Sequence, residues 1–167
     1  MLRVLSFILI LVIFFTSYSC QKQDSYSETP AIYYNSLTVQ YKTYPDNDVK
    51  LVGILNFDFI DGDGNIGFAE NDDDNNTNTQ DTIIPDIFIT EYFKKDGIFQ
   101  PKIKGPYTMP YFDDKVYKTL KGEIEIYFIH ENYSPDTVYY ECYIIDRDYN
   151  QSNIITTDTI IYSEYFK

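Results

Sequence analysis

An all-β fold is what this sequence predicts, and three observations predict it. Helical periodicity is missing almost throughout, while apolar and polar residues alternate at period two in short runs. The composition favours strands, with 18 Tyr and 12 Phe against no Trp. Turn signals separate the runs, among them Asp61-Gly62-Asp63-Gly64 and Lys95-Asp96-Gly97.

The elements follow in order. Ile32 to Tyr41 places Leu37, Val39 and Tyr41 at period two. Leu51, Gly53, Leu55, Phe57 and Phe59 form a second alternating face, with Asn56 and Asp58 pointing away. Ile83 to Lys94 is a third apolar run, whose two faces are too alike to assign a parity. Asp96-Gly97 supports positive φ and predicts a hairpin turn, with Ile98 to Lys104 returning. Leu120 to Ile129 turns Ile124, Ile126 and Phe128 inward. Thr137 to Asp146 places Val138, Tyr140, Cys142 and Ile144 on one face, and Asn153 to Tyr162 closes the set. Seven strands at this spacing predict an antiparallel β-sandwich of immunoglobulin-like or fibronectin type III-like kind over residues 31–167. A closed barrel is the alternative. Pro135-Asp136-Thr137-Val138-Tyr139 is similar to a tyrosine corner. That register would turn Glu141 inward with Tyr139, so Tyr140 is expected inward instead.

The chain opens with the parts of a secretory signal. Arg3 supplies a charge, Val4 to Phe15 is almost unbroken Leu, Ile, Val and Phe, and Ser19 precedes Cys20. The apolar run is too short to span a bilayer comfortably. Residues 1–19 therefore read as a lipoprotein signal peptide with Cys20 as the lipidated first residue of the mature chain. Ser17 and Tyr18 make this a relaxed lipobox. Gln21 to Pro30 is polar and reads as a flexible tether, and Gln21-Lys22-Gln23-Asp24 resembles a tag for the outer face of the outer membrane. With Cys20 acylated, Cys142 has no cysteine to pair with, and its inward position reads as a core thiol. His130 reads as a surface residue at a strand end.

A net charge of −13 excludes nucleic acid as a partner class and favours cations. The strongest motif is Asp61-Gly62-Asp63-Gly64-Asn65-Ile66-Gly67. Oxygen-bearing side chains at alternate positions, with Gly between, can converge on a hard cation such as calcium. Counting Asp61 first, Asp63 and Asn65 fall third and fifth and Asp72 twelfth. Ile66 stands where an EF-hand needs Gly, so the expectation is a calcium-type acidic loop with Asp61, Asp63, Asn65, Glu70 and Asp72 as ligands. A metal-free solvated turn is the alternative.

In a sandwich of this order, the loops after the second, fourth and sixth strands share one end. They span 60–82, 105–119 and 147–152. Tyr107, Tyr111, Phe112, Asp148 and Tyr149 on these loops are the expected binding residues. The tether enters at the same end.

Phe59-Ile60-Asp61-Gly62-Asp63-Gly64-Asn65-Ile66-Gly67, Leu120-Lys121-Gly122-Glu123-Ile124-Glu125, Asp136-Thr137-Val138 and the stretch Ile145 to Asn153 together resemble Bacteroidetes-type lipoproteins with an Ig-like domain. Asn65 stands where that group frequently has Asp. The resemblance implies the fold and the anchoring and carries no activity over. The expected function is a membrane-anchored, non-enzymatic module that binds an envelope protein or glycan and is stabilised by calcium. A structural subunit of an envelope assembly is the alternative, and a hydrolase using two carboxylates a third reading.

Overall fold

Period-two alternation resolves into two antiparallel sheets packed face to face. The computed structural model describes residues 26–68, 84–113, 115–116, 118–131 and 135–166. Cys20, with the expected signal, and the expected ligands Glu70 and Asp72 lie outside the described residues. The first sheet is β1 (Ala31–Thr43), β2 (Val49–Asp61) and β5 (Leu120–His130), with β2 central. The second is built from β3 (Ile87–Lys95), β4 (Ile98–Tyr107), β6 (Thr137–Ile144), β7 (Ile155–Thr156) and β8 (Ile160–Ile161). Its order is β4-β3-β6-β7, and β8 also pairs with β6. This is the predicted sandwich, with the predicted final strand split in two.

The split has a local cause. Ile155 pairs with Cys142 and Ile160 with Val138, so both pieces lie along β6. Between them the Thr157 hydroxyl accepts a hydrogen bond from the Tyr140 N–H at 2.9 Å, while the Thr157 N–H donates to the Tyr140 carbonyl. A side-chain oxygen replaces one rung of the ladder, as Thr readily does.

The core lies where the inner faces meet. Leu55 and Phe57 of β2 pack there with Ile89 of β3 and Tyr140, Cys142 and Ile144 of β6, all buried. Phe128 stacks on Tyr140 at 4.2 Å between centroids. Tyr140 is thus the inward residue, as expected, and Tyr139 stacks on Tyr92 on the outer face. Burial pushes the Cys142 thiol up to about 12, which keeps it an inert core group. The β3–β4 hairpin turns at Asp96 and Gly97, with φ of 52° and 83°. Two positive φ values match the twist of the paired strands.

One inward position was not foreseen. Parity in β3 turns Glu91 inward with Ile87 and Ile89, and it is only 2% exposed. β4 answers it with a bulge. Ile89 pairs with Gly105 and Thr90 with Ile103, which leaves Lys104 as the extra residue. The Lys104 Nζ lies 2.9 Å from Glu91 Oε2. His130 also differs from expectation. It is half-buried and stacks on Tyr162 at 4.0 Å, and burial pulls its basicity down. With Glu91, Lys104, Tyr140 and Tyr162 it lines a water-sized cavity of about 10 Å³.

Candidate cation site and recognition end

β2, β4 and β6 end together, and the loops that follow them meet. The register places Ile87 opposite both Tyr107 and Ile144. The Arg147 N–H donates to the Asn65 carbonyl at 3.1 Å, and the Arg147 guanidinium reaches the Gly64 carbonyl at 3.5 Å. The same guanidinium sits 4.8 Å from the centre of the Tyr111 ring. Arg147 therefore ties the 61–67 loop to the loops after β4 and β6.

Gly62 and Gly67 of the motif are required by close approach. The Gly62 N–H donates to the Ser27 carbonyl at 2.9 Å, and a Cβ on Gly62 would lie 2.3 Å from that oxygen. Tyr26–Pro30, at the end of the expected tether, thus runs against this loop. Lys121 holds Tyr26 there, by a hydrogen bond to its hydroxyl and with Nζ 3.7 Å over its ring. Gly67 has φ of +80°, and a Cβ there would fall 2.2 Å from the Pro110 carbonyl oxygen. Gly67→Ala should therefore cost about 2 kcal/mol through strain and displacement of Pro110. A urea melt with an unchanged midpoint would contradict this role for the glycine.

The charges are arranged unusually. Asp61 is 0% exposed, and neither of its carboxylate oxygens has a hydrogen-bond partner among the described residues. Burial pushes its carboxyl up to about 7, with Asp63 and Asp146 adding like charge and the nearby Asn65 main chain opposing. Asp63 and the Asn65 amide influence Asp61 without reaching it in hydrogen-bond geometry. Asp63 Oδ1 and Asn65 Oδ1 are likewise buried without partners among the described residues. The Asn65 Nδ2 donates to Asp63 Oδ2 and to Asp148 Oδ2, each at 3.0 Å. Asn65 thus joins Asp63 to Asp148, 83 positions away from it in sequence, while Asp61 lies near enough to Asp63 to feel its charge.

Two further acids at this end have assigned work. Both Asp146 oxygens accept hydrogen bonds from Asn150, one from its main chain at 2.7 Å and one from its side chain at 2.8 Å. Asp86 Oδ1 accepts the Met109 N–H at 2.8 Å, while Oδ2 has no partner among the described residues. Burial raises the Asp86 carboxyl to about 6. Asp86 was missed at the sequence level, because nothing in Pro85-Asp86 distinguishes a buried acid from a solvated loop residue.

The expected binding residues divide. Tyr149 and Tyr111 are exposed, at 66% and 48%, and Phe68 lies 5.8 Å from Tyr149 between ring centroids. Asp148 is also exposed. Tyr107 and Phe112 instead pack against the core and leave the surface to the other two aromatics.

The donor set suits a hard cation in part. Two carboxylates and an amide oxygen present unpartnered, buried oxygens, which is the chemistry calcium selects. No group of three or more His, Cys, Asp or Glu side chains is close enough to hold a metal among the described residues. Further oxygens would have to come from movement, main chain or solvent. No protein-family model matches the chain, and no curated protein or solved structure matches it either. What the fold defines is a class: a two-sheet antiparallel β-sandwich, here with its acidic and aromatic loops gathered at one end.

Proposed function

We propose that this chain is a non-enzymatic binding module, held at the outer membrane through an acylated Cys20. It recognises an envelope protein or glycan with the loops at one end of the sandwich, which a calcium ion orders. Asp61 carries this reading. A buried carboxylate with both oxygens unpartnered is costly to ionise, and a bound cation removes that cost. Exposed Tyr111 and Tyr149 at the same end supply the apolar, hydrogen-bonding contact area that recognition loops use. The signal pattern before Cys20 and the resemblance to Bacteroidetes-type lipoproteins support the anchoring.

Two measurements test the reading. Cys20→Ser should abolish acylation by a radiolabelled fatty acid and move the protein out of the membrane fraction. Labelling that persists in the variant would remove the anchor. Crosslinking in intact outer membranes should capture a protein or glycan in calcium and lose it in chelator. Capture indifferent to calcium would refute the ordered-loop mechanism.

A further inference from the structure

Asp148 sits where a second loop can close on the cation. Its carboxylate is exposed, it belongs to the loop after β6, and it accepts the Asn65 amide N–H at 3.0 Å. That same Asn65 is 6% exposed, and its Oδ1, like both Asp61 oxygens and Asp63 Oδ1 in the same loop, is buried without a partner among the described residues. The first loop thus offers a buried half-site, and Asp148 of the other loop is held against it through Asn65. We infer that calcium is clamped between the two loops, with Asp148 moving from the Asn65 amide to the ion, so that ion occupancy fixes Tyr149 and Tyr111 as one recognition surface. This rests on the calcium reading above and adds to it a second loop and a regulatory consequence.

The backbone around Asp148 suits such a movement. Tyr149 holds φ of 62°, a left-handed conformation that a non-glycine residue keeps only under constraint. The constraint is local. The Tyr149 N–H donates to the Asp146 carbonyl at 3.0 Å, and Asn150 to the Asp146 side chain. Asp148 and Tyr149 therefore project from a turn pinned at Asp146, and a shift of Asp148 carries Tyr149 with it. On the other side Arg147 links Asn65 and Gly64 to the Tyr111 ring. Both exposed tyrosines are thus one residue contact from the half-site. An ion that takes oxygens from both loops is the general way calcium orders flexible segments.

Calcium titration by calorimetry, paired with amide hydrogen exchange on the purified mature protein, separates the possibilities. Asp148→Asn keeps an acceptor oxygen for the Asn65 amide while removing the charge. The expected result is calcium affinity at least tenfold weaker in this variant. Calcium should slow exchange across residues 147–151 at least tenfold in the wild type and leave it unchanged in the variant. Wild-type affinity in Asp148→Asn, with residues 147–151 unprotected by calcium in either protein, would overturn the clamp and leave a one-loop site standing. Asp61→Asn retaining calcium affinity, or a wild-type chain that binds no calcium, would overturn the clamp and the underlying site together.

Discussion

Asn in place of Asp61 should raise the melting temperature in chelator and abolish the rise that the proposed calcium site predicts for the wild-type chain. The first effect comes from burial. A carboxyl lifted to about 7 when folded, against 3.8 as its ordinary value, holds its proton more tightly in the folded state. Stability from this group is therefore full at low pH and is lost as pH climbs from about 4 through about 7. Asp86, lifted to about 6, loses stability in the same direction over a narrower window. Without a cation the chain should thus melt lower at pH 8 than at pH 5. Removing the Asp61 charge should recover on the order of 2–3 kcal/mol at pH 8, about 5–10 °C for a chain of this size.

Under the proposed calcium reading the trend should reverse, because the ion would bind the deprotonated carboxylates with an affinity that grows with pH. Its stabilisation should be large at pH 8, small at pH 5, and absent from Asp61→Asn. Differential scanning calorimetry at both pH values, with and without chelator, reads all of these together. A variant that melts lower than wild type in chelator and still responds to calcium would show that Asp61 is a structural acid satisfied in another way.

Lys104→Met should be the more damaging of two changes at the inner polar cluster, at about 3–5 kcal/mol. Glu91 has one oxygen on Lys104 and within 3.4 Å of the Tyr140 hydroxyl, and its other oxygen has no partner among the described residues. Removing the ammonium leaves a nearly buried charge in the core. Adding Glu91→Gln to Lys104→Met should restore much of the loss, since the amide carries no charge and keeps the shape. Guanidinium melts of both singles and the double give the coupling energy directly. If the double variant is no more stable than Lys104→Met alone, the damage comes from lost packing of the lysine stem, not from the stranded charge.

How much of this was readable beforehand depended on distance along the chain. Strands with one polar face, such as Leu51–Phe59 and Leu120–Ile129, declare themselves through alternation. β3 does not, because Ile87-Phe88-Ile89-Thr90-Glu91-Tyr92-Phe93 has bulky residues on both faces, and so the inward Glu91 and the bulge that answers it stayed hidden. The break in the final strand turns on a Thr157 hydrogen bond that no pattern announces. At the site, Asp61, Asp63 and Asn65 stood out because they are adjacent. The gathering of the three loops was legible from strand order, whereas the pairing of Asn65 with Asp148 needed the folded backbone. Exposed Tyr111 and Tyr149 could not be told from Phe112, since side-chain direction in loops follows no period, and Tyr107 was read as a loop residue because the return strand, expected to end at Lys104, runs on to it.

The interrupted last strand bears on how copies of this protein meet. A sheet edge with a long row of unpaired amides and carbonyls invites a neighbouring chain to join it. Beside β6 the edge is made of two-residue pieces separated by Thr157-Asp158-Thr159, too short to template another strand. At the opposite edge β4 carries Pro101 and Pro106, which lack the donor that such joining requires, and Lys102 between them adds charge. At high local concentration these domains should stay separate along both margins of the larger sheet.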